Sequence, residues 1–473
     1  MKSSGAVKER LYAFDALRIA VVFLVVAGHA AIAYLSTGIA QIDWVVQDRA
    51  KSVIFHWMGP WIGAIAMPVF FFISGFWSAK QYEERGERVF FSDKLKRVLA
   101  PFLVACVVIL PITLYVWALG WLMSGHCTLR NILMMKFEPG IQKNLFGPGH
   151  LWFLEYLFLA SFLYVAVRRF WNFSLPESLV FSVLRPVFFA LPGALILWLW
   201  PGAMLYFHNT FIPLPSRLVY CSIFFFAGAV VYRFKDRIHD FMRFDFLYLA
   251  LSVPTFVWMV GYFWPYLTND VASQNSALLS LSTSLYVWFS IFGWLGFFQR
   301  FFNKPSPAAH YLSDASYWTY LFHFPVVALF QIALYKVNFP AEGKFLIVLT
   351  SSIAVCLLFY EWLARQSSFG VYLGVSPRQN VSGAVSPRTL KAKIILTALL
   401  SVLILAFGFT YQFFYNREKE KYREVITGFY RKYFNREPDT IGLNHWTMMA
   451  LNKWGLEKVE QEGFVEAKKK GAS

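Results

Sequence analysis

The feature that most constrains this chain is a series of eleven apolar runs. A helix needs about 20 apolar residues to cross the hydrocarbon core of a bilayer. The runs fall at about 14–35, 54–79, 98–122, 150–167, 181–204, 218–233, 246–264, 277–299, 315–335, 345–363 and 394–415. They are continuously apolar rather than alternating, which favours helices over strands. The sequence therefore predicts an all-α, polytopic membrane helix bundle.

The composition supports a membrane protein and excludes several soluble classes. Hydrophobic residues make up 58% of the chain and charged residues 15%, whereas soluble domains carry about 25% charged residues. The four cysteines have neither metal-ligand nor redox spacing, so neither disulfides nor a zinc site are indicated. We also expect no permanently bound cofactor and no other metal. The sequence also contains no G-x-S-x-G, G-x-x-x-x-G-K or H-E-x-x-H motif, and serine-hydrolase and NTPase functions therefore lack support.

The distribution of basic residues predicts the orientation in the membrane. The net charge is +17, from 44 Lys and Arg against 27 Asp and Glu. With a cytoplasmic N-terminus, the inside segments hold 22 Lys and Arg and the outside loops hold 8, as the positive-inside rule requires. We therefore interpret the charge as membrane orientation and expect the lipid bilayer, not nucleic acid, as its partner. Eleven crossings place the C-terminus outside the cytoplasm.

The runs and the segments between them predict four parts of the chain. The first ten runs form a membrane core with ten crossings. A cytoplasmic linker with two Ser-Pro steps covers 376–393, an eleventh transmembrane helix 394–415, and a small extracytoplasmic helical module 416–473.

Ionisable residues within the apolar runs are the candidate functional residues, because charge is costly in lipid. The first run contains Asp15, Arg18 and His29, which share one helix face, with His29 about 16 Å beyond Arg18. One interpretation is an interfacial ion pair and a hydrogen bond between helices. The other is a proton-accepting histidine at the end of a path that begins at a cytoplasmic cation.

The fourth run begins with a second group of candidates. Glu155 lies about one turn from its outer end, near His150 and Trp152. The carboxylate suits a hydrogen bond to a sugar hydroxyl or to a histidine, and the indole suits stacking on a sugar ring. The alternative is that His150 and Trp152 are ordinary interfacial anchors.

The ninth run carries a third group, and the segment before the third run carries a fourth. Tyr317, Tyr320 and His323 recur every three residues and share a face, with His323 either a second proton carrier or a partner in a hydrogen bond between helices. Lys96 and Arg97 lie in what we interpret as a cytoplasmic loop. These two cations suit the phosphates of a nucleotide-bearing donor, or serve only as positive-inside anchors.

The order of these motifs resembles the acyltransferase-3 family of integral-membrane acyltransferases. The first match is Arg18 and His29, separated by ten residues. Further matches, in the family's order, are Pro68-Val69-Phe70-Phe71-Phe72-Ile73-Ser74-Gly75-Phe76, Lys96-Arg97 with Pro101-Phe102, His150-Leu151-Trp152-Phe153-Leu154, Ser316-Tyr317-Trp318-Thr319-Tyr320-Leu321-Phe322-His323-Phe324-Pro325 and Tyr360-Glu361. Together the matches cover about 10–375, which sets the bounds of the membrane domain. The pattern is most similar to the glucan biosynthesis protein C branch.

The resemblance implies a ten-helix core that moves an acyl group from cytoplasmic acyl-CoA, a cosubstrate, to a hydroxyl of an extracytoplasmic carbohydrate. The acyl group is expected to be acetyl, with succinyl as an alternative, and the location the bacterial cytoplasmic (inner) membrane. It also implies that His29 is the essential histidine and Arg18 the signature cation near the donor. The expected groups are catalytic His29, Asp15, Glu155 and His323; donor-binding Arg18, Lys96 and Arg97; and acceptor-binding Trp152, His150, Tyr317 and Tyr320. The alternative function is a transporter or flippase of a lipid-linked or small anionic solute, because such proteins also carry intramembrane charges.

The C-terminal segment resembles a different module, the domain of unknown function 4214. The matching residues are Phe429-Tyr430-Arg431, Phe434-Asn435-Arg436-Glu437-Pro438-Asp439, Gly442-Leu443 and Trp446. This resemblance implies an extracytoplasmic adaptor without chemistry of its own, with an envelope protein or a glycan as its partner.

Overall fold

The computed structural model describes residues 11–36, 44–137, 145, 147–171, 175–203, 209–267, 276–365, 419–450 and 455–469. Over these ranges the regular structure is helical and includes no strand, which confirms the all-α prediction. The predicted linker 376–393 and eleventh helix 394–415 lie outside the described residues. Contacts divide the described chain into two compact units. The first contains 11–114 and the described parts of 145–365, and the second contains 115–137, 419–450 and 455–469.

Ten helices correspond to the first ten predicted crossings. They are α1 (Tyr12–Ile32), α2 (Val53–Lys94), α3 (Ala100–Ser124), α4 (Trp152–Phe170), α5 (Arg185–Leu199), α6 (Pro215–Tyr232), α7 (Asp245–Leu267), α8 (Ser276–Phe301), α9 (Pro307–Leu334) and α10 (Ala341–Phe359). Shorter helical segments are Leu129–Leu133, Gly149–Leu151, Glu177–Val180, Pro201–Ala203, Lys235–Phe244 and Tyr360–Ala364. By length and composition, eight helical stretches of the described chain suit a membrane crossing.

The segment between the second and third crossings differs from the prediction. The expected loop around Lys96 and Arg97 is helical, because α2 runs to Lys94 and a π-helical turn, Leu95–Leu99, leads into α3. The stretch Val53–Ser124 has 72 residues, about 108 Å of helix, far more than one crossing of a bilayer about 30 Å thick. The break lies at Gly86, whose φ of 77° is outside the helical region and suits glycine.

The fifth crossing is shorter than predicted. The apolar run at 181–204 forms a helix of only 15 residues, α5. A crossing needs about 20 residues. Pro186 begins the helix at a position where no amide donor is needed. Pro201 follows Trp200, whose backbone has left the helical region, since the residue before a proline disfavours it.

Glycines allow two helices of the first unit to pack closely, and the helices differ in how far they are enclosed. Helices α2 and α6 approach so closely that a Cβ on Gly75 would collide with the Phe225 carbonyl, and one on Gly228 with the Phe72 carbonyl. Helix α8 is the most enclosed of the eight candidate crossings, whereas α7 and α10 keep most of their apolar surface outward, as lipid-facing helices do. Helix α1 packs on α2, α8, α9 and α10.

The C-terminal part of the second unit has its own small core. Helix α11 (419–434) and helix α12 (Thr440–Met449) contribute Ile426 and Tyr430 on one side and Ala450 just after α12. The helical segment 456–469 adds Phe464, which contacts the rings of Phe429, Tyr430, Phe434 and Trp446. The aromatic residues of the predicted module therefore converge on one buried side chain.

Candidate active site

The centre of the candidate site is a direct contact between two histidines on neighbouring helices. His29 lies near the end of α1, and its Nδ1 is 2.9 Å from Nε2 of His323 on α9. The His323 side chain is fully buried, while His29 keeps partial exposure. The two histidines named from separate apolar runs are thus one unit.

The backbone of α9 assigns the hydrogens of this pair. Nδ1 of His323 lies 2.7 Å from the carbonyl oxygen of Tyr320 and 3.2 Å from that of Thr319. A carbonyl oxygen only accepts, so in the neutral ring His323 carries its hydrogen on Nδ1 and accepts at Nε2. His29 must then donate from Nδ1, which leaves its Nε2 without a hydrogen. His29 therefore presents a basic nitrogen on the edge directed away from His323.

A proline in α9 brings a third histidine to the same place. Pro325 has no amide hydrogen, so the carbonyl of Leu321, four residues earlier, has no intrahelical donor. Nε2 of His150 is 2.9 Å from that carbonyl oxygen and donates to it. The hydroxyl of Tyr320 in turn donates to the His150 carbonyl. The ring centres of His150 and His323 are 5.3 Å apart.

His150 consequently carries an open acceptor. Its Nε2 hydrogen is used by Leu321, so Nδ1 is the nitrogen without a hydrogen. Within the described part of the chain, this buried Nδ1 has no hydrogen-bond partner. Burying an acceptor without a hydrogen bond costs about 1 to 3 kcal/mol. A hydroxyl or amide hydrogen of a bound molecule would remove this cost by donating to Nδ1.

Aromatic rings enclose His29 on further sides. Trp44 lies nearly parallel to the imidazole, with ring centres 6.1 Å apart and an interplanar angle of 6°. Phe324 meets the imidazole edge-on at 4.8 Å. Trp44 donates through Nε1 to Gln331 at 2.8 Å, and Gln331 donates to the carbonyls of His29 and Ala30 at 3.0 Å each. Those carbonyls belong to the last turn of α1, which lacks intrahelical donors.

A second cluster lies nearer the beginning of α1. Arg18 is 3.3 Å from the carboxylate of Asp15 and donates to the carbonyl of Ser313 on α9 at 3.1 Å. The Ser313 hydroxyl contacts Arg18 and donates to Asp15 at 2.9 Å. Asp15 is fourteen residues before His29, about 21 Å along the helix. The structure therefore places Asp15 with Arg18 and not with the histidines.

The predicted donor cations lie on the same side as Arg18. Lys96 and Arg97 are exposed on the π-helical turn. The Tyr317 hydroxyl donates to the Arg97 carbonyl at 3.5 Å, and Tyr317 is one turn after Ser313 on α9. Tyr317 thus belongs to this end of the site, whereas Tyr320 reaches the histidines.

Contacts at both ends show that α1 and α9 run parallel. Arg18 meets Ser313 and His29 meets His323, so the two helices advance together by eleven and ten residues. Both ends are joined by continuous helix, with about 16 Å between them. The first and ninth crossings therefore point the same way, as the predicted order of crossings requires.

Glu155 and Trp152 lie in a different neighbourhood. Among the described contacts, none joins Glu155 to the three histidines; Cys106 and Tyr156 are within electrostatic range of its carboxylate. Trp152 contacts the Tyr156 ring at 5.5 Å and lies beneath the Arg217 guanidinium at 5.3 Å. One buried oxygen of Glu155 has no hydrogen-bond partner among the described residues.

Ser313, which contacts Arg18 and Asp15, and four further residues at or near the site were not predicted. Trp44 and Asp48 lie between the first two crossings, where the sequence carries no periodic pattern, and Gln331 and Lys344 were counted only as parts of apolar or loop segments. The uncharged polar side chain of Gln331 inside an apolar run was the one available signal, because such residues form bonds between helices.

Comparison with known proteins gives one match. A family model described as an acyltransferase domain, Acyl_transf_3, matches residues 11–361. That range includes both histidines of the pair, His150 and the Arg18 cluster. No curated protein and no solved structure matches the chain.

Proposed function

The chain belongs to the acyltransferase-3 family of membrane acyltransferases, and from this premise we propose that it transfers an acyl group from cytoplasmic acyl-CoA to a hydroxyl of an extracytoplasmic carbohydrate. The observation that carries the proposal is the His29–His323 pair at 2.9 Å. Because the members of this family are enzymes, catalysis explains the intramembrane histidines. No observation favours the alternative function, a transporter or flippase.

His29 has the properties of a general base. Its Nε2 has no hydrogen, and its Nδ1–H is held by His323. When Nε2 takes the proton of the acceptor hydroxyl, the positive charge is shared with His323 through the hydrogen bond. His323 passes part of it towards the carbonyls of Tyr320 and Thr319. This arrangement orients and supports the base as the third member of a catalytic triad does.

The proposed reaction is a single acyl substitution at the thioester. The hydroxyl oxygen attacks the thioester carbonyl carbon, a C–O bond forms, and the C–S bond breaks. The hydroxyl proton moves to Nε2 of His29 and then to the departing sulfur, which leaves as the free thiol. His150, with its acceptor nitrogen Nδ1, is placed to orient a hydroxyl or amide hydrogen of a bound substrate.

The donor enters from the end of the site that carries Arg18. Arg18 keeps about a third of its side-chain surface exposed, and Lys96 and Arg97 are exposed nearby in the sequence-predicted cytoplasmic region. These cations suit the phosphates of coenzyme A. The arm of the donor then extends over the roughly 16 Å to His29, which an extended pantetheine covers.

Acetyl is the proposed acyl group, and succinyl the alternative suggested by the resemblance to the glucan branch. The proposed location is the bacterial inner membrane, with the N-terminus in the cytoplasm and the C-terminal module outside. In that position the module serves as an adaptor for an envelope protein or glycan.

Mass spectrometry of the cell's glycans tests the proposal. Cells with the wild-type chain, with the gene deleted and with His29→Ala are compared. We expect an added mass of about 42 for acetyl or about 100 for succinyl, the increments of acyl transfer to a hydroxyl, in the wild type only. Glycans that are equally modified in all three strains would contradict the proposal.

A further inference from the structure

Residues 44–52, which lie just before α2, cover the end of α1 that bears His29. Among them, Trp44, Val45 and Val46 are buried, although 44–52 contains no regular secondary structure. Trp44 lies parallel to the His29 ring and is hydrogen bonded to Gln331. We call residues 44–52 the strap.

A buried ion pair fixes the strap to α10. Nζ of Lys344 lies 2.9 and 2.7 Å from the two carboxylate oxygens of Asp48. Both side chains are 2% exposed. The pair therefore lies in an environment of low dielectric, where each charge depends on the other.

The strap is also bonded to the end of α1. The Asp48 amide donates to the Ala33 carbonyl at 3.0 Å, and the Ser52 amide donates to the Tyr34 carbonyl at 3.2 Å. Lys51 adds a bond to the Ala33 carbonyl at 3.2 Å. Asp48 thus joins α10, the strap and α1, four residues after the indole that lies against His29.

We propose that the Asp48–Lys344 pair holds the strap over His29 so that water is kept from the activated donor, and that the pair thereby decides between transfer and hydrolysis. This inference rests on the proposed function. Water and a substrate hydroxyl undergo the same substitution: with water, the C–S bond breaks, a C–O bond forms, and the products are a free carboxylic acid and the thiol. A base that activates hydroxyls needs such exclusion. Asp48 and Lys344 are positioning residues, since they act through Trp44.

The test measures two products from one purified protein. Acyl-CoA is the donor, and free thiol and acylated glycan are both quantified. The variants are Asp48→Asn with Lys344→Met, which removes both charges together, and Trp44→Ala. The double variant avoids leaving one unpaired buried charge. The matched control is Trp57→Ala, because Trp57 is exposed at the start of α2.

We expect hydrolysis relative to transfer to rise about tenfold or more in both strap variants, the size usual for loss of an outer supporting contact, and to stay unchanged in Trp57→Ala. Variants that slow both products equally, with an unchanged ratio, would overturn the inference and leave the proposed function intact. A wild-type protein that forms neither product would instead overturn the proposed function, and the inference with it.

A labelling experiment checks the strap without using activity. Val46 is fully buried, so Val46→Cys should react slowly with a water-soluble maleimide in detergent-solubilised protein. All variants also carry Cys127→Ser, so that this loop thiol does not contribute to the signal. Adding the Asp48→Asn and Lys344→Met changes should speed the labelling of the cysteine at position 46, while Gln47→Cys, at an exposed position of the strap, should react quickly in both backgrounds. Equal protection of Cys at position 46 with and without the ion pair would contradict the role of the pair in holding the strap.

Discussion

At the scale of single residues, the proposed chemistry depends on which nitrogen of each histidine carries a hydrogen. Two α9 carbonyls determine the hydrogen of His323, and His323 determines that of His29. The Leu321 carbonyl determines that of His150. Three imidazoles are therefore oriented by backbone geometry, without a carboxylate in contact with them among the described residues.

Replacing His323 tests this arrangement. His323→Phe keeps a ring of similar shape but removes the acceptor for His29. We expect kcat to fall about 10- to 100-fold, as for loss of an orienting partner, with KM nearly unchanged because substrate contacts remain. His29→Ala should cost more, about 10²- to 10⁴-fold.

A protein that carries both His29→Ala and His323→Phe shows whether His323 orients His29 or acts independently of it. If His323 acts through His29, His323→Phe should add little to the defect of His29→Ala, because residues that act as a unit are not additive. Steady-state kinetics of the two single variants and the double variant measure this. Fully additive losses would contradict the pair.

The sequence predicted the two histidines but not their contact or surroundings. An ionisable residue in an apolar run is conspicuous, so the sequence singles out Arg18, His29 and His323 as candidates. Trp44 and the Asp48–Lys344 pair depend on contacts between segments about 300 residues apart, for which no local pattern exists. Asp15 was predicted to be catalytic from its shared helix face; the structure shows its carboxylate in contact with Arg18 and Ser313, and its role stays a prediction.

At the scale of the helices, Pro325 has a specific consequence in α9. It frees the Leu321 carbonyl for His150. Pro325→Ala would restore an amide donor four residues after Leu321 and so compete with His150 for that carbonyl. We expect kcat/KM to fall about tenfold, a loss typical of removing a group that orients a functional side chain. Thermal stability should stay equal or rise. Wild-type kinetics in this variant would contradict a role for the His150 orientation.

Helix α12 in the C-terminal module allows a prediction of pH dependence. The Asp439 side chain accepts a hydrogen bond from the Gly442 amide at 2.7 Å, and this bond lowers the pKa of the carboxyl below its ordinary value. A lowered folded-state pKa means that the cap stabilises α12 above the unfolded pKa, about 3.9. The stabilisation is lost as the pH falls through the folded value.

Hydrogen exchange of the α12 amides, corrected for its intrinsic pH dependence, measures this loss. Protection should fall below about pH 4, near the unfolded pKa. In Asp439→Asn the acid-dependent part should disappear while the cap is kept, since asparagine caps helices without titrating. Identical pH profiles for the two proteins would contradict the assignment.

Helix existence could be predicted more reliably than helix ends. Ten apolar runs gave ten helices, but the charged residues Lys96 and Arg97 were interpreted as part of a loop. The backbone there remains helical, because long Lys and Arg side chains reach water without breaking a helix. The shortened α5 reflects the two prolines that bound it, whose effect on length a hydrophobic run does not reveal.

At the scale of the whole molecule, the orientation is testable with a native cysteine. Cys127 lies in the loop after α3, which the predicted orientation places outside the cytoplasm. A membrane-impermeant maleimide should label it in spheroplasts, and Cys127→Ser should remove the signal. Labelling only after permeabilisation would reverse the orientation and place Arg18 at the wrong end for a cytoplasmic donor.

The most direct measurement of the central claim uses purified protein in sealed vesicles. Acyl-CoA is supplied on the side that the Arg18 end faces, and a soluble oligosaccharide is enclosed on the other side. We predict that acyl ester accumulates on the enclosed acceptor, with one free thiol released outside per ester, and that His29→Ala forms both products at least about 10²-fold more slowly. Thiol release without an ester, or equal ester formation by His29→Ala, would contradict the account.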